Sequence, residues 1–250
     1  GINNGKEIIV GYNSRSAALL SEEFKKPADN DETFHYKNVG SSVLLWGGNE
    51  RGTMYAVFSF LENELACRWY TPSVTVVPEK EKYSFRFLNR TESPTLQVRN
   101  DFYYEAFNPV WAARNKMNGT LGFNKTTPQP GGTENYWSVH TFYPLMPPAE
   151  FYDKHPEYYS LIDGKRIHDH AQLCLSNPDV LNIITERLKK QMRENPEYLI
   201  YDVSQNDWRN PCQCDKCQAI AKKEGSESGP VIWFVNQVAD RIKDEFPDKY

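Results

Sequence analysis

The sequence predicts an α/β protein: a small α+β domain over residues 1–89, then the first half of a (β/α)8 TIM-type barrel over residues 95–250. Three observations carry this reading. Beyond residue 95, short apolar runs alternate with amphipathic stretches at helical spacing, the pattern of a parallel sheet with crossover helices. The segment Asn89-Arg-Thr-Glu-Ser-Pro94 is polar and ends in proline, which marks a boundary. Only about four strand–helix units fit before residue 250, whereas a closed barrel takes eight. The chain is therefore expected to be a fragment, with the remainder of a parent chain completing the barrel.

In the first domain, Lys6 to Tyr12 reads as a strand closed by Gly11, and Ser14 to Phe24 as a short helix. Thr33 to Val39 and Ser42 to Trp46 read as strands joined near Gly40. A helix is expected from Arg51 to Leu65, capped by Asn49, with Met54, Val57, Phe58, Leu61 and Leu65 as its apolar stripe. Cys67 reads as a small buried hydrophobe. Val74 to Val77 and Tyr83 to Leu88 complete the expected strands.

In the second domain, Leu96 to Tyr104 reads as a strand carrying Arg99, Asn100 and Asp101, which are either satisfied core groups or the start of a site. Pro109 to Met117 suits a helix and Asn118 to Phe123 a strand. Residues 124–139 form a long Thr, Pro, Gly and Asn-rich loop, a type that is often functional. Pro147-Pro148 opens a helix to about Lys154. A hairpin with a type I′ turn at Asp163-Gly164 follows, then a short strand at Gln172 to Leu175. Asn177-Pro178-Asp179 starts a helix to about Arg193, with Val180, Ile184, Leu188 and Met192 on one face.

The stretch from Tyr198 to Ile242 organises the rest. An apolar strand runs into the polar cluster Ser204-Gln205-Asn206-Asp207-Trp208, then a cysteine group, then an amphipathic helix. A buried strand delivering polar groups at its C-terminal end is how α/β barrels build sites. Arg114, Asn115, His140, Gln205, Asn206 and Trp208 are the substrate-binding candidates, because Arg and amides bond hydroxyls and Trp stacks on a pyranose face. Cys212-x-Cys214-x-x-Cys217 has metal-like spacing, but a structural zinc takes four ligands. Cys174 supplies the fourth if the two segments are neighbours. A disulfide within the group is the alternative in an exported protein.

Composition sets the outer limits. The net charge is −4 and no basic cluster stands out, which argues against nucleic acid as a partner. Aromatic content is 14%, suited to flat, polar-edged ligands such as sugars. No stretch is long and apolar enough to span a bilayer, and no signal peptide stands in the sequence.

Gly52-Thr-Met-Tyr-Ala-Val-Phe-Ser-Phe-Leu61 with Cys67-Arg-Trp-Tyr-Thr-Pro72 resembles the N-terminal domain that precedes the barrel in family 20 hexosaminidases and family 67 α-glucuronidases. The remainder resembles the bacterial domain of unknown function 4838. Its matching pieces are Trp111-x-x-Arg114-Asn115, His140-Thr-Phe142, His155-Pro-Glu-Tyr158, Gln172-Leu-Cys-Leu-Ser-Asn-Pro178, Val203-Ser-Gln-Asn-Asp207, the Cys212/Cys214/Cys217 group, and Glu224-Gly225 with Ser228-Gly-Pro230. Some relatives of that group are family 163 endo-β-N-acetylglucosaminidases.

The resemblance implies a glycoside hydrolase acting on complex glycans, by substrate-assisted retention. The alternatives are a non-catalytic glycan-binding protein on the same scaffold and an α-glucuronidase-like hydrolase. Family 20 enzymes place an Asp-Glu pair where this chain has Asn206-Asp207, so Asp207 is the first candidate acid. Glu224 is the rival, by likeness to the α-glucuronidase Ser-Glu-Gly stretch. A third possibility places the acid beyond residue 250. No catalytic cofactor is expected, and the cysteine group leaves a structural zinc, a disulfide and free thiols open. A secreted, periplasmic or cell-surface bacterial location is expected.

Overall fold

The strand Ser42–Gly47 is buried along its whole length, so it lies at the centre of a sheet with both faces covered. This computed structural model describes residues 7–20, 31–85, 87–119, 129–133 and 136–250. The chain divides into two compact units, Gly1–Glu134 and Asn135–Tyr250.

In the first unit, β1 (Ile8–Val10) runs parallel to β3 (Ser42–Gly47). β2 (Phe34–Val39) pairs antiparallel with β3 and with β6 (Asn89–Glu92), giving the order β1-β3-β2-β6. A small antiparallel pair, β4 (Arg68–Trp69) and β5 (Thr75–Val76), follows α2. The short helix α1 (Ser14–Leu19) is capped by Asn13. The long helix α2 (Glu50–Asn63) is capped by Asn49, whose side chain accepts the Gly52 N–H at 2.7 Å. One face of the sheet packs Phe34, Tyr36, Val43 and Leu45 against Tyr55, Ala56 and Phe60 of α2. The other face buries Ile9, Leu44 and Trp46.

Several expectations for this unit change. The buried face of α2 is Gly52, Tyr55, Ala56, Ser59 and Phe60, and the predicted stripe residues Met54, Val57, Phe58 and Leu61 are half-buried beside it. Small Gly52 and Ala56 let the helix backbone approach the sheet: a Cβ on Gly47 would lie 2.3 Å from Gly52 C. The supposed linker Asn89–Glu92 forms the edge strand. Its polar residues suit an exposed edge, and Asn38 draws the chain in by accepting the Leu88 N–H at 2.8 Å. Among the described residues, neither 83–88 nor 96–104 forms a strand. Arg99 instead ties its segment down, donating to the carbonyls of Leu96 and Lys116 and to the Glu32 carboxylate. Glu32 also takes Arg51 and Asn118. Arg99 is thus a satisfied, half-buried group. α3 (Pro109–Arg114) is shorter than predicted. The predicted strand at 118–123 lies largely outside the described residues.

In the second unit, β7 (Tyr136–Trp137) and β10 (Ile200–Tyr201) pair in parallel. The backbone of Tyr250 bonds Leu199 and Tyr201, which face the edge of β10 opposite β7 because backbone groups alternate sides along a strand. Short helices α4 (Phe142–Leu145) and α5 (Pro148–Phe151) precede the hairpin β8 (Leu161–Ile162)/β9 (Lys165–Arg166). Asp163 and Gly164 have φ of 47° and 78°, as a type I′ turn requires. The expected strand at Gln172–Leu175 reduces to a bridge between Tyr159 and Leu173. α6 (Pro178–Glu194) begins at the Asn177 cap and buries Val180, Ile184, Leu188 and Met192 as expected. α7 (Asp215–Glu224) and α8 (Gly229–Ile242) complete the unit. The core joins Phe142, Tyr159, Leu173, the buried face of α6, Tyr201 and Phe234. The described residues form a mixed α/β fold of one four-stranded and three two-stranded sheets, and no barrel closes among them.

Candidate functional site

Four cysteines of the second unit converge. The sulfurs of Cys174, Cys212, Cys214 and Cys217 all lie within 4.8 Å of one another. Three local features bring them together. Cys174 follows the Leu173 bridge, and its N–H donates to Tyr158 O at 2.8 Å. The loop carrying Cys212 is pinned when Gln213 N–H donates to Leu161 O at 2.8 Å. Cys214 is the N-cap residue of α7 and Cys217 lies in its first turn. Cys174, Cys212 and Cys217 are buried.

The geometry suits a tetrahedral cation. Zinc–sulfur bonds of about 2.3 Å in a tetrahedron set sulfur–sulfur edges of about 3.8 Å. Cys174 Sγ stands 3.7 Å from Cys214 Sγ and 4.0 Å from Cys217 Sγ. A disulfide needs about 2.05 Å, and all five cysteines are free. Polar groups also surround the sulfurs. Leu161 N–H donates to Cys212 Sγ at 3.3 Å, Arg166 Nη1 lies 3.7 Å from the same sulfur, and Ser176 Oγ is 3.2 Å from Cys217 Sγ. The first turn of α7 adds its positive end.

As thiols, Cys174, Cys212 and Cys217 compete. Cys174 is held low by hydrogen bonds from Cys212 and Cys217. In turn Cys212 is pushed up to about 11 and Cys217 higher, chiefly by their bonds to Cys174. A divalent cation removes that competition by stabilising every thiolate together. The cluster could therefore hold a metal ion, with four sulfurs that leave no open coordination position.

The parallel strands β7 and β10 end side by side, and their C-terminal loops are laced together. Thr141 Oγ1 donates to Asp202 O at 2.9 Å and accepts Ser204 N–H at 3.1 Å. His140, at φ 55°, has its N–H on Ser204 Oγ at 3.0 Å. Its Nδ1 meets the Gln205 carbonyl at 2.9 Å, and since a carbonyl can only accept, Nδ1 is the donor there. Asp202 accepts the Ser204 hydroxyl at 2.5 Å. Burial pushes the Asp202 carboxyl above the usual range, and Ser204, His140 and Thr141 offset part of the rise.

The sequence-derived candidates divide as follows. His140 and Gln205 meet at the strand ends. Asn206 is buried and satisfied: its side chain donates to Ala171 O at 2.9 Å and accepts Tyr143 N–H at 3.2 Å. Asp207 is exposed one residue later. Trp208 is 51% exposed, its ring edge-on to His170 at 4.3 Å. Glu224 ends α7 on the surface beside Lys223. Arg114 and Asn115 belong to the first unit, where Arg114 lies over the Trp69 ring at 6.0 Å and Asn115 bonds the Trp111 carbonyl. The strand was expected to run through Val203, but it ends at Tyr201, so Asp202 is the first residue beyond it.

A cavity of about 40 Å³ lies between the cysteines and α8, lined by Gln172, Gln205, Cys212, Cys217, Glu227 and Pro230. It has room for a few waters but not for a sugar ring. No described helix is long and apolar enough to cross a membrane.

A comparison with curated proteins found no match. The model of the domain of unknown function (DUF4838) matches residues 69–250, well over half of the sequence and all of the strand-end and cysteine sites. The chain belongs to the DUF4838 family.

Proposed function

We propose that the chain is the site-bearing part of a glycoside hydrolase that acts on complex glycans, with Asp202 as the proton donor. The observation that carries this is the half-buried Asp202 carboxyl, raised by burial at the C-terminal end of two parallel strands. Protonating a glycosidic oxygen calls for a carboxyl that holds its proton more tightly than an ordinary carboxylic acid does. His140 Nε2 and the exposed Trp208 ring supply a hydrogen-bonding group and a stacking face in the same unit. The parallel β7–β10 pair, extended by Tyr250 on its far edge, supports the half-barrel reading. β-Linked N-acetylglucosamine is the proposed sugar, cleaved with help from its own acetamide, and the protein works outside the bacterial cytoplasm.

In the same reading the four cysteines hold a structural zinc. Closed sulfur coordination leaves no place for substrate, so the ion staples the fold and takes no part in bond cleavage. Iron also suits four thiolates in a tetrahedron, and metal analysis of the purified protein separates the two.

The buried, fully bonded Asn206 in place of a second carboxylate favours one rival, a glycan-binding protein without turnover. The test is release of glycans from N-glycoproteins and from glucuronoxylan, followed by mass spectrometry. Release of chains ending in a single N-acetylglucosamine is the expected result. Binding without release would replace the hydrolase with the glycan-binding rival, and release of glucuronic acid would replace the sugar class.

A further inference from the structure

We propose that the four-cysteine centre sets the position of the strand-end loop Gln205–Asn210, with Gln172 as the positioning residue that links them. The inference rests on the zinc occupancy proposed above and adds a task for it: metal binding orders the surface that presents Asp207 and Trp208.

The loop is held at two ends, and both lead to the same centre. At one end the Gln172 side chain clamps the backbone. Its Oε1 accepts Asn206 N–H at 3.0 Å, and its Nε2 donates to Asn206 O at 2.9 Å and Trp208 O at 2.6 Å. Gln172 stands two residues before the ligand Cys174. Its own carbonyl is fixed by Ser160, whose N–H and Oγ both donate to it at 3.0 Å. At the other end the loop runs into Cys212, a second sulfur of the cluster. Between these ends the chain has little else to hold it. Asp207, Trp208 and Arg209 are exposed. Beyond Asn206 the remaining ties are a bond from Asn210 Nδ2 to His170 O at 3.0 Å and the edge contact of Trp208 with His170. At the first end, His140 Nδ1 also holds Gln205 O, and the Asn206 side chain bonds Ala171 O and Tyr143 N–H. A loop with so little buried apolar surface takes its order from its anchors. Drawing Cys174 and Cys212 onto one ion fixes the spacing of both anchors together. Losing the ion leaves the Cys212 end to the Gln213 hydrogen bonds with Leu161 and Asp163 and lets the Cys174 segment shift with Gln172.

Hydrogen exchange followed by mass spectrometry on the full chain tests this, with zinc bound, after chelation, and for Gln172→Ala. Zinc content is read by native mass spectrometry. Chelation is expected to speed exchange in peptides spanning 204–213 by roughly an order of magnitude or more, while peptides from α6 stay protected. Gln172→Ala is expected to keep its zinc and still loosen the same peptides. Trp208 emission, isolated by subtracting a Trp208→Phe variant, should shift to the red in both cases. A loop that stays protected after zinc removal overturns the staple and leaves the zinc reading intact. A chain that takes up no zinc overturns both. If chelation unfolds the whole unit, the Gln172→Ala variant decides alone, and an unchanged loop in it overturns the proposal.

Discussion

Asp202 sits half-buried at the end of β10, where desolvation raises its pKa and Ser204, His140 and Thr141 draw it part of the way back. A carboxyl that binds its proton more tightly when folded gives stability that is complete below its unfolded pKa. That stability is lost as pH rises through the folded value. Asp202→Asn removes this dependence. Its melting temperature should match the parent below that window and equal or exceed it above, as calorimetry across pH would show. Glu32 has the opposite sign. Its burial penalty is outweighed by hydrogen bonds from Asn118, Arg51 and Arg99, so its pKa is lowered. Its contribution is present above the unfolded carboxyl value and fades as pH falls through the folded one. Arg99→Ala leaves that carboxylate to Arg51 and Asn118 and should cost about 1–3 kcal/mol at neutral pH, measured by denaturant unfolding. The sequence left Arg99 open between core and site because residue type alone does not reveal a partner as distant in the chain as Glu32. The place of Asp202 was hidden for a related reason: two residues of strand length decide whether it lies within β10 or just beyond it.

Elements with their own local signals were the legible part of the fold. The Asn177-Pro178-Asp179 start of α6, the Asn49 cap of α2 and the Asp163-Gly164 turn each depend on a few adjacent residues, and each forms as read. Asn177 Oδ1 accepts Asp179 N–H at 2.9 Å, so Asn177→Ala should cost about 1 kcal/mol in urea unfolding. Elements that depend on partners were not legible. The sheet centres on Tyr55 and Phe60 and leaves Met54, Val57 and Leu65 of the predicted stripe at the margin of the core, because Gly52 and Ala56 set where the backbones approach. The polar segment Asn89–Glu92 becomes a strand because β2 offers it a free edge. The cysteine spacing around α7 was visible as a metal signal. The fourth ligand came from a segment brought in by the Tyr159–Leu173 bridge, a pairing that no local pattern encodes.

At the scale of the molecule, the second unit joins one apolar core to two polar sites at its margin. Phe234 of α8 is fully buried and meets Phe142, the first residue of α4, edge-to-face at 5.8 Å. Phe234→Ala should cost about 3–5 kcal/mol in thermal unfolding, because the core closes only partly around the cavity it leaves. Family membership over residues 69–250 covers both sites, and the activity itself remains the proposal made from Asp202. Glycan release from N-glycoproteins, compared among the parent chain, Asp202→Asn and Asp207→Asn at equal folded fraction, tests that proposal most directly. The expected result is release by the parent, a loss of about 10²–10⁴-fold in Asp202→Asn, as for removal of a general acid, and a smaller loss in Asp207→Asn. Full activity in Asp202→Asn, or loss confined to Asp207→Asn, would contradict it.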